Sequence, residues 1–326
     1  MPRIRFEELH ETLTGVLRKL GFSEERATRC ARLFAETTRD GVYSHGASRF
    51  PRFVRMIRAG RVDVGAEPAL VRAHGGLERW DGNRGPGNLN AWQSMGRAIA
   101  LAREHGVGAV ALANTNHWMR GGTYGWQAAE AGCIAACWTN TMPNMPPWGR
   151  AEARVGNNPL ILAVPRARGH VVLDMAMSQF SYGALASYRA RGEMLPVEGG
   201  FDAEGRLTRD PAAIEASGRP LPAGYWKGSG LAILLDLTAA MLSGGLATHQ
   251  IPGDPEREAG LCQFFLAMDL AGLGADAAAN GIADGIVESI GARYPGERTP
   301  QLRAENTALG VPVDPAVWSE IQAMER

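Results

Sequence analysis

Apolar residues at the start of the chain recur at helical spacing. Phe6, Leu9, Leu13, Val16, Leu17 and Leu20 fall on one face of a 3.6-residue helix, and Gly21 ends it. Ser23 is placed to begin a second helix carrying Ala27, Cys30, Leu33 and Phe34, which Gly41 breaks. A third helix is expected over 45–59, stopped by Gly60. The pattern then changes. Residues 70–81 read as a hairpin around Gly75-Gly76, and 88–105 as a long helix. Beyond it strand-like and helical stretches alternate. Strands are expected at 107–113, 134–139, 160–164, 171–175 and 261–270, and helices at 123–131, 182–191, 231–242 and 276–293. The helix over 231–242 is apolar almost all round and is expected to be buried. Asp314-Pro315 starts a last short helix that runs to Met324. A helical N-terminal segment followed by mixed strands and helices predicts an α/β fold with a mixed sheet.

At 326 residues the chain can bury one large core or two to three smaller ones. Its 34 basic residues balance its 34 acidic ones, which removes the electrostatic footprint of a nucleic-acid binder or of a protein held to an anionic membrane. No apolar run approaches the ~20 residues of a membrane span. The opening MPRIRFEELHETL reads as an amphipathic helix and not as a signal peptide, so a soluble, cytoplasmic protein is expected. Cys30, Cys133, Cys137 and Cys262 lie among apolar neighbours without a second ligand pair, and read as buried free thiols, not a metal site.

Polar residues concentrate between Asn114 and Pro165, where Asn, His, Arg, Trp, Gly and Pro separate short apolar runs. Loops of this kind present polar groups to a small ligand. A G-x-G-x-x-G fingerprint is missing: Gly228-Ser229-Gly230 follows Tyr-Trp-Lys and lacks the third glycine. G-x-S-x-G, H-E-x-x-H and the P-loop are absent too, which weakens hydrolase and metalloprotease readings. His45 and Arg49 stand four apart, and on one helix they would share a face. An imidazole beside a guanidinium suits a 2-keto acid, the Arg holding the carboxylate and the His supplying a proton. The same residues would serve equally as a helix start with Ser44 as its cap and solvated cations around it. His117 follows a strand, where ligand sites form, or is a loop histidine bonded to backbone. Arg120 could help to bind an anion. Gly121-Gly122, ahead of a helix, leave N–H groups that favour an anion. Asp174 ends a strand, as a ribose acceptor, a partner for a histidine such as His170, or a local cap. Lys227, in YWKGSG, contacts a phosphate or a substrate hydroxyl, or is part of a surface turn. Pro295-Gly296-Glu297-Arg298 is a turn able to close over a ligand.

Ser44-His45-Gly46 with Arg49, then Asn116-His117, Pro147-Trp148-Gly149 and Gly156-x-Asn158-Pro159 together resemble the malate/L-lactate dehydrogenase family that lacks the usual dinucleotide fold. The likeness runs over nearly the whole chain. It implies an L-sulfolactate dehydrogenase-like, non-Rossmann fold in three parts: residues 1–115 helical and on the substrate side, 116–298 a cofactor domain of unusual topology, and 299–326 a helical segment returning to the N-terminal region. It implies a homodimeric reductase that uses NADH on a small 2-keto acid, with a 2,3-diketo sugar acid as the first candidate. His45 would be the proton donor, with Ser44, Arg49 and His117 lining the substrate pocket. Cofactor contacts would fall on His170, Val171, Val172, Leu173, Asp174, Met175 and Ala176, on Trp226 and Lys227, and on Gly296, Glu297 and Arg298. No metal is implied. Malate, lactate, ureidoglycolate or a cyclic imine are the alternative substrates on the same scaffold, and a sugar-acid binding protein without catalysis is the alternative of another class. The chain departs from the family pattern in two places. Asn157 stands where the pattern has threonine, and the loop Pro165 to Val171 is about one residue longer, bringing Arg166 and Arg168 near the expected cofactor strand. Two added cations there make NADP a possible cofactor.

Overall fold

The computed structural model describes residues 2–325. A short strand β1 (Arg3–Ile4) leads into α1 (Phe6–Lys19), α2 (Glu24–Arg39) and α3 (Phe50–Arg58). The apolar stripe read from the sequence is buried: Leu9, Leu13, Val16 and Leu17 of α1 pack with Cys30, Leu33 and Phe34 of α2 and with Phe50 and Phe53 of α3. Ser23 stands at the N-cap of α2, though its side chain makes no capping bond. The expected third helix does not begin at His45. Two 3-10 turns, Tyr43–His45 and Ala47–Arg49, precede it. Gly46 separates them at φ −95°, ψ −129°, and packs so tightly on Thr38 that a Cβ there would collide with the threonine hydroxyl. Thr38 Oγ1 takes the Ala47 N–H at 2.8 Å and fixes the kink. His45 and Arg49 therefore do not share a helix face.

The hairpin is β2 (Ala69–His74) and β3 (Leu77–Asp81), followed by α4 (Gly87–His105) and β4 (Val107–Thr115). Next come α5 (Gly122–Glu130), β5 (Cys133–Thr139), β6 (Leu160–Val164) and β7 (Val171–Met175). An excursion then holds α6 (Tyr182–Ala190), β8 (Gly200–Phe201), β9 (Leu207–Thr208) and α7 (Pro211–Ser217) around a small core of Leu185, Leu195 and Ile214. The chain finishes with α8 (Trp226–Ser243), β10 (Leu261–Asp269), α9 (Asp276–Ser289), α10 (Arg298–Leu309), β11 (Val311–Pro312) and α11 (Pro315–Glu325).

Seven strands form one sheet in the order β2-β3-β4-β10-β5-β6-β7. Only β3 and β4, joined through α4, run parallel; every other pair is antiparallel. This is the mixed sheet expected, and it explains the missing glycine fingerprint: no doubly wound parallel sheet is present to need one. The strands of 69–115 belong to the same sheet as β5–β7 and β10. Trp318 and Ile321 of α11 return to the N-terminal helical core.

The expectation for 231–242 is corrected. α8 lies over the sheet with Ala232, Leu235 and Ala239 inward, but Leu234 is 58% exposed and Met241 78%. Leu231 and Leu237 share that outer face at helical spacing. An apolar outer face on a helix is a feature of surfaces that meet another molecule. All four cysteines are buried and free. Among the described residues no helix is long and apolar enough to cross a membrane.

Candidate active site

Strand β4 delivers the first part of the site. Where it ends, Asn116 turns inward and its Nδ2 donates to the carbonyls of Arg84 (2.8 Å) and Gly85 (3.0 Å). Gly87 lies against the carbonyls of Asn116 and His117, leaving no room for a side chain. Trp118 follows, buried against Tyr124 and Phe265, and the Tyr124 hydroxyl donates to its carbonyl at 2.5 Å. Held on both sides, His117 projects into a cleft of about 930 Å³. The opposite wall is the pair of 3-10 turns. Across the cleft the His45 and His117 rings stack at 5.9 Å between centroids, 20° from parallel.

The two histidines differ in what holds their inner nitrogen. His117 Nδ1 accepts the Met119 backbone N–H at 3.0 Å, so its proton must sit on Nε2. His45 Nδ1 lies 2.8 Å from Ser44 Oγ, and a hydroxyl can donate or accept. Both rings are neutral at pH 7. Burial first, then the charges of Arg49 and Arg120, push His45 down to about 4. Burial, with Arg49, His45 and Arg52, pushes His117 well below its ordinary value.

Arg49 lines the same cleft, and no acceptor among the described residues bonds its guanidinium. Burial and then the neighbouring Arg52 lower it to about 10, against the pull of Glu258 and Glu256. Arg120 is differently placed. Its Nη1 donates to Asp40 Oδ2 at 2.8 Å, and Arg303 reaches the same carboxylate through Nε (3.0 Å) and Nη2 (2.9 Å). Burial alone would raise Asp40; Arg303 and Arg120 hold it below the usual carboxylate range.

Ser44, His45, Arg49 and His117 thus come together, joined by Val172, Leu173 and Asp174 of β7, by Ala176 just past it, and by Gly296. The Pro295-Gly296 turn is strapped to β7 by the Val172 N–H donating to Pro295 O at 3.0 Å. Other expected residues stand apart. Val171 and Met175 are outside the lining, Met175 packing beside Met145 and Met177. His170 accepts the Arg166 N–H, sits edge-on to Trp126, and lines a separate cavity of about 480 Å³. Trp226, 66% exposed, and Lys227 open α8 at the surface, and Glu297 and Arg298 lie beside the turn without lining the cleft.

Two further expectations change. The Gly122 N–H at the start of α5 is taken by Asp174 Oδ2 at 2.7 Å, so that helix end is not a free anion site. Burial raises the Asp174 carboxyl, while that N–H and Arg120 draw it down. Arg166 is paired with Asp284 at 2.5 Å and Arg168 with Glu288 at 3.2 Å, so neither is an uncommitted cation. Sequence reasoning also missed Arg52, Tyr182 and Glu258, which line the cleft. The Tyr182 hydroxyl donates to Asn144 O at 2.9 Å and burial pushes it up to about 12. Arg52, three residues past Arg49, could have been suspected; nothing in the sequence marks the other two.

Neutral imidazoles facing a guanidinium suit a keto acid, and comparison with known proteins shows the class to be an oxidoreductase acting on CH–OH and keto groups. The chain belongs to the malate/L-lactate dehydrogenase family, whose model matches residues 4–322. It is 46% identical over 332 aligned positions to the 2,3-diketo-L-gulonate reductase of Citrobacter koseri, covering 99% of this chain and 100% of that one. Its fold is similar to the sulfolactate dehydrogenase of Methanocaldococcus jannaschii (26% identity, TM-score 0.91, 99% of this chain and 96% of that one). It is also similar to the Δ1-piperideine-2-carboxylate reductase of Pseudomonas syringae (27% identity, TM-score 0.89, 99% and 100%).

Proposed function

We propose that this protein reduces a small 2-keto acid with a nicotinamide nucleotide, that 2,3-diketo-L-gulonate is its foremost substrate, and that 3-keto-L-gulonate is the product. The observation that carries the reading is Arg49, a cation in the cleft wall with no bonded acceptor among the described residues, beside two neutral histidines. A half-buried guanidinium facing the cleft attracts an anion, and a substrate carboxylate is the anion whose two oxygens match its fork. The likeness to the Citrobacter koseri enzyme favours the diketo acid over malate, lactate, ureidoglycolate or a cyclic imine.

The cleft suits the nucleotide. Its volume of about 930 Å³ is several times what a six-carbon acid needs and stands near the top of the ~300–1,000 Å³ range of small-molecule sites. Val172, Leu173, Ala176 and Gly296 offer a flat apolar wall, and Asp174 keeps its second oxygen free to accept from an amide or a sugar hydroxyl. When bound, the nicotinamide supplies a hydride to the ketone carbon. With Arg166 and Arg168 engaged by Asp284 and Glu288, NADH is the expected partner, and NADPH the alternative that a 2′-phosphate site elsewhere would require.

His45 is the proton donor. Ser44 can accept from a protonated Nδ1 and donate to a bare one, so His45 can change its charge without losing its partner. The Met119 N–H denies His117 that freedom, which leaves its Nε2–H to hold the substrate oxygen. Arg49 fixes the carboxylate, and His45 hands its proton to the forming alkoxide.

The exposed face of α8 supports a homodimer, and four buried thiols fit a reducing, cytoplasmic setting. The test is loss of NADH absorbance with 2,3-diketo-L-gulonate beside pyruvate, oxaloacetate and cyclic imino acids. Fast turnover of the diketo acid is expected, with His45→Ala lowering kcat by roughly 10²–10⁴. Turnover confined to another acid overturns the substrate; near-normal kcat in His45→Ala overturns the proton donor.

A further inference from the structure

Asn157 lines the same cleft and has an amide whose orientation the hydrogen bonds settle. Its backbone N–H donates to Asn144 Oδ1 at 2.8 Å. Because that partner is a backbone donor, the Asn144 amide cannot be turned over, and its Nδ2 must face Asn157 Oδ1, 3.1 Å away. Thr141 Oγ1 lies 3.3 Å from the same oxygen, and its one hydrogen is shared among that oxygen, Met142 O (3.2 Å) and Asn158 Oδ1 (3.3 Å). Asn157 Oδ1 is thereby the acceptor. Its Nδ2, with both hydrogens, has no protein partner among the described residues.

The residue is held from every side. Met177 N–H donates to the Asn157 carbonyl at 2.8 Å, and Tyr182 steadies Asn144 through its carbonyl at 2.9 Å. A half-buried side chain fixed this firmly, with a donor left over, is built to meet an acceptor in the cleft. Arg49 accounts for a substrate carboxylate, and His45 and His117 account for the reacting oxygen. A third donor calls for a third oxygen.

We propose that Asn157 is a specificity-determining residue whose Nδ2 donates to an oxygen on the carbon next to the reacting ketone, so that 2-keto acids oxygenated at C3 are favoured over their 3-deoxy counterparts. This rests on the reading of the site as a 2-keto acid reductase. A cleft that must hydrogen-bond a substrate oxygen discriminates against the analogue lacking it, because its own donor is then left dry.

The experiment compares kcat/KM for acids differing only at C3: hydroxypyruvate against pyruvate, and 2-ketogluconate against 2-keto-3-deoxygluconate, with NADH and with NADPH. Asn157→Asp keeps an acceptor facing Asn144 and removes the donor. Asn157→Leu removes the donor without adding charge, and the acceptor with it. The wild type is expected to favour the oxygenated member, and both variants to shrink that preference by about tenfold or more. Thermal unfolding of each variant separates a folding defect from lost selectivity, and one folded variant suffices. An unchanged preference in a folded variant overturns the proposal while the reductase reading stands. So does equal loss on both acids with a raised KM for the nucleotide, which would assign Asn157 to the cofactor. Failure of the wild type to reduce any 2-keto acid with either nucleotide overturns the reductase reading and this proposal with it.

Discussion

Substrate binding should load His45 with a proton. In the free enzyme the ring is depressed from the ordinary 6.5 to about 4. That difference disfavours the imidazolium by about 3.4 kcal/mol, at about 1.36 kcal/mol per tenfold. At pH 6 only about 1% of the sites then carry a protonated His45. A bound carboxylate cancels the Arg49 charge, and the substrate oxygen offers Nε2 an acceptor; both favour the charged ring. If the ring returns to its ordinary value, about 75% of the sites are protonated at pH 6.

Binding of an unreactive keto-acid analogue such as oxamate, with reduced nucleotide present, should therefore take up about 0.7 proton per site at pH 6. Calorimetric titration in buffers of different ionisation enthalpy measures that number as a slope. His45→Ala should bring the slope near zero. His117 cannot substitute, because protonating its Nδ1 breaks the bond from Met119. A slope of zero in the wild type, or an undiminished slope in His45→Ala, would refute the coupling between Arg49, substrate and His45.

Three other outcomes are expected. Stability should fall on acidification: the unfolded chain protonates His45 below about pH 6.5 while the folded one resists to about 4, so its contribution, up to about 3 kcal/mol, is complete above pH 6.5 and lost progressively toward pH 4. Thermal melts across that range measure it, and a Tm flat between pH 6.5 and 4 would contradict the buried neutral ring. Leu234→Glu with Met241→Glu should convert a dimer to monomers in light scattering; an unchanged mass would place the interface elsewhere. Arg166→Ala leaves Asp284 without its closest partner and should lower Tm while leaving the NADPH/NADH preference alone; a shift of several-fold in that preference would restore Arg166 as a 2′-phosphate ligand.

Much of the fold was legible because its signals are local. Short apolar runs bounded by Gly and Pro located β6 and β7 to the residue, and a six-position stripe located α1. What failed was set by distant partners. Gly46 breaks a helix because of Thr38, whose position beneath it no local spacing reveals. The apolar composition of α8 cannot distinguish a core face from a face awaiting another molecule. Arg166 reads as a free cation until the fold sets Asp284 beside it. In the site, His45, Arg49 and His117 were legible through their motifs. Tyr182 and Glu258 were not: Tyr182 opens a predicted helix, Glu258 lies in a loop, and no motif marks either as facing the cleft.

The carboxylate of Asp40 shows why those segments converge. It ends α2, yet it gathers Arg39 from its own helix, Arg120 from the loop after β4 and Arg303 from α10. A lone buried carboxylate, or Arg120 alone in the cleft wall, would be strongly destabilising; together they offset one another's desolvation. The arrangement is thus a clamp between the N-terminal helices, the sheet and the C-terminal segment. It is also electrostatic, for the Arg120 it fixes is one of the charges that keep His45 neutral. Without Arg303, which α10 supplies, the carboxylate that anchors Arg120 would lose its bidentate partner. The return of the C-terminal segment to the N-terminal helices is therefore part of how His45 acquires its proton affinity.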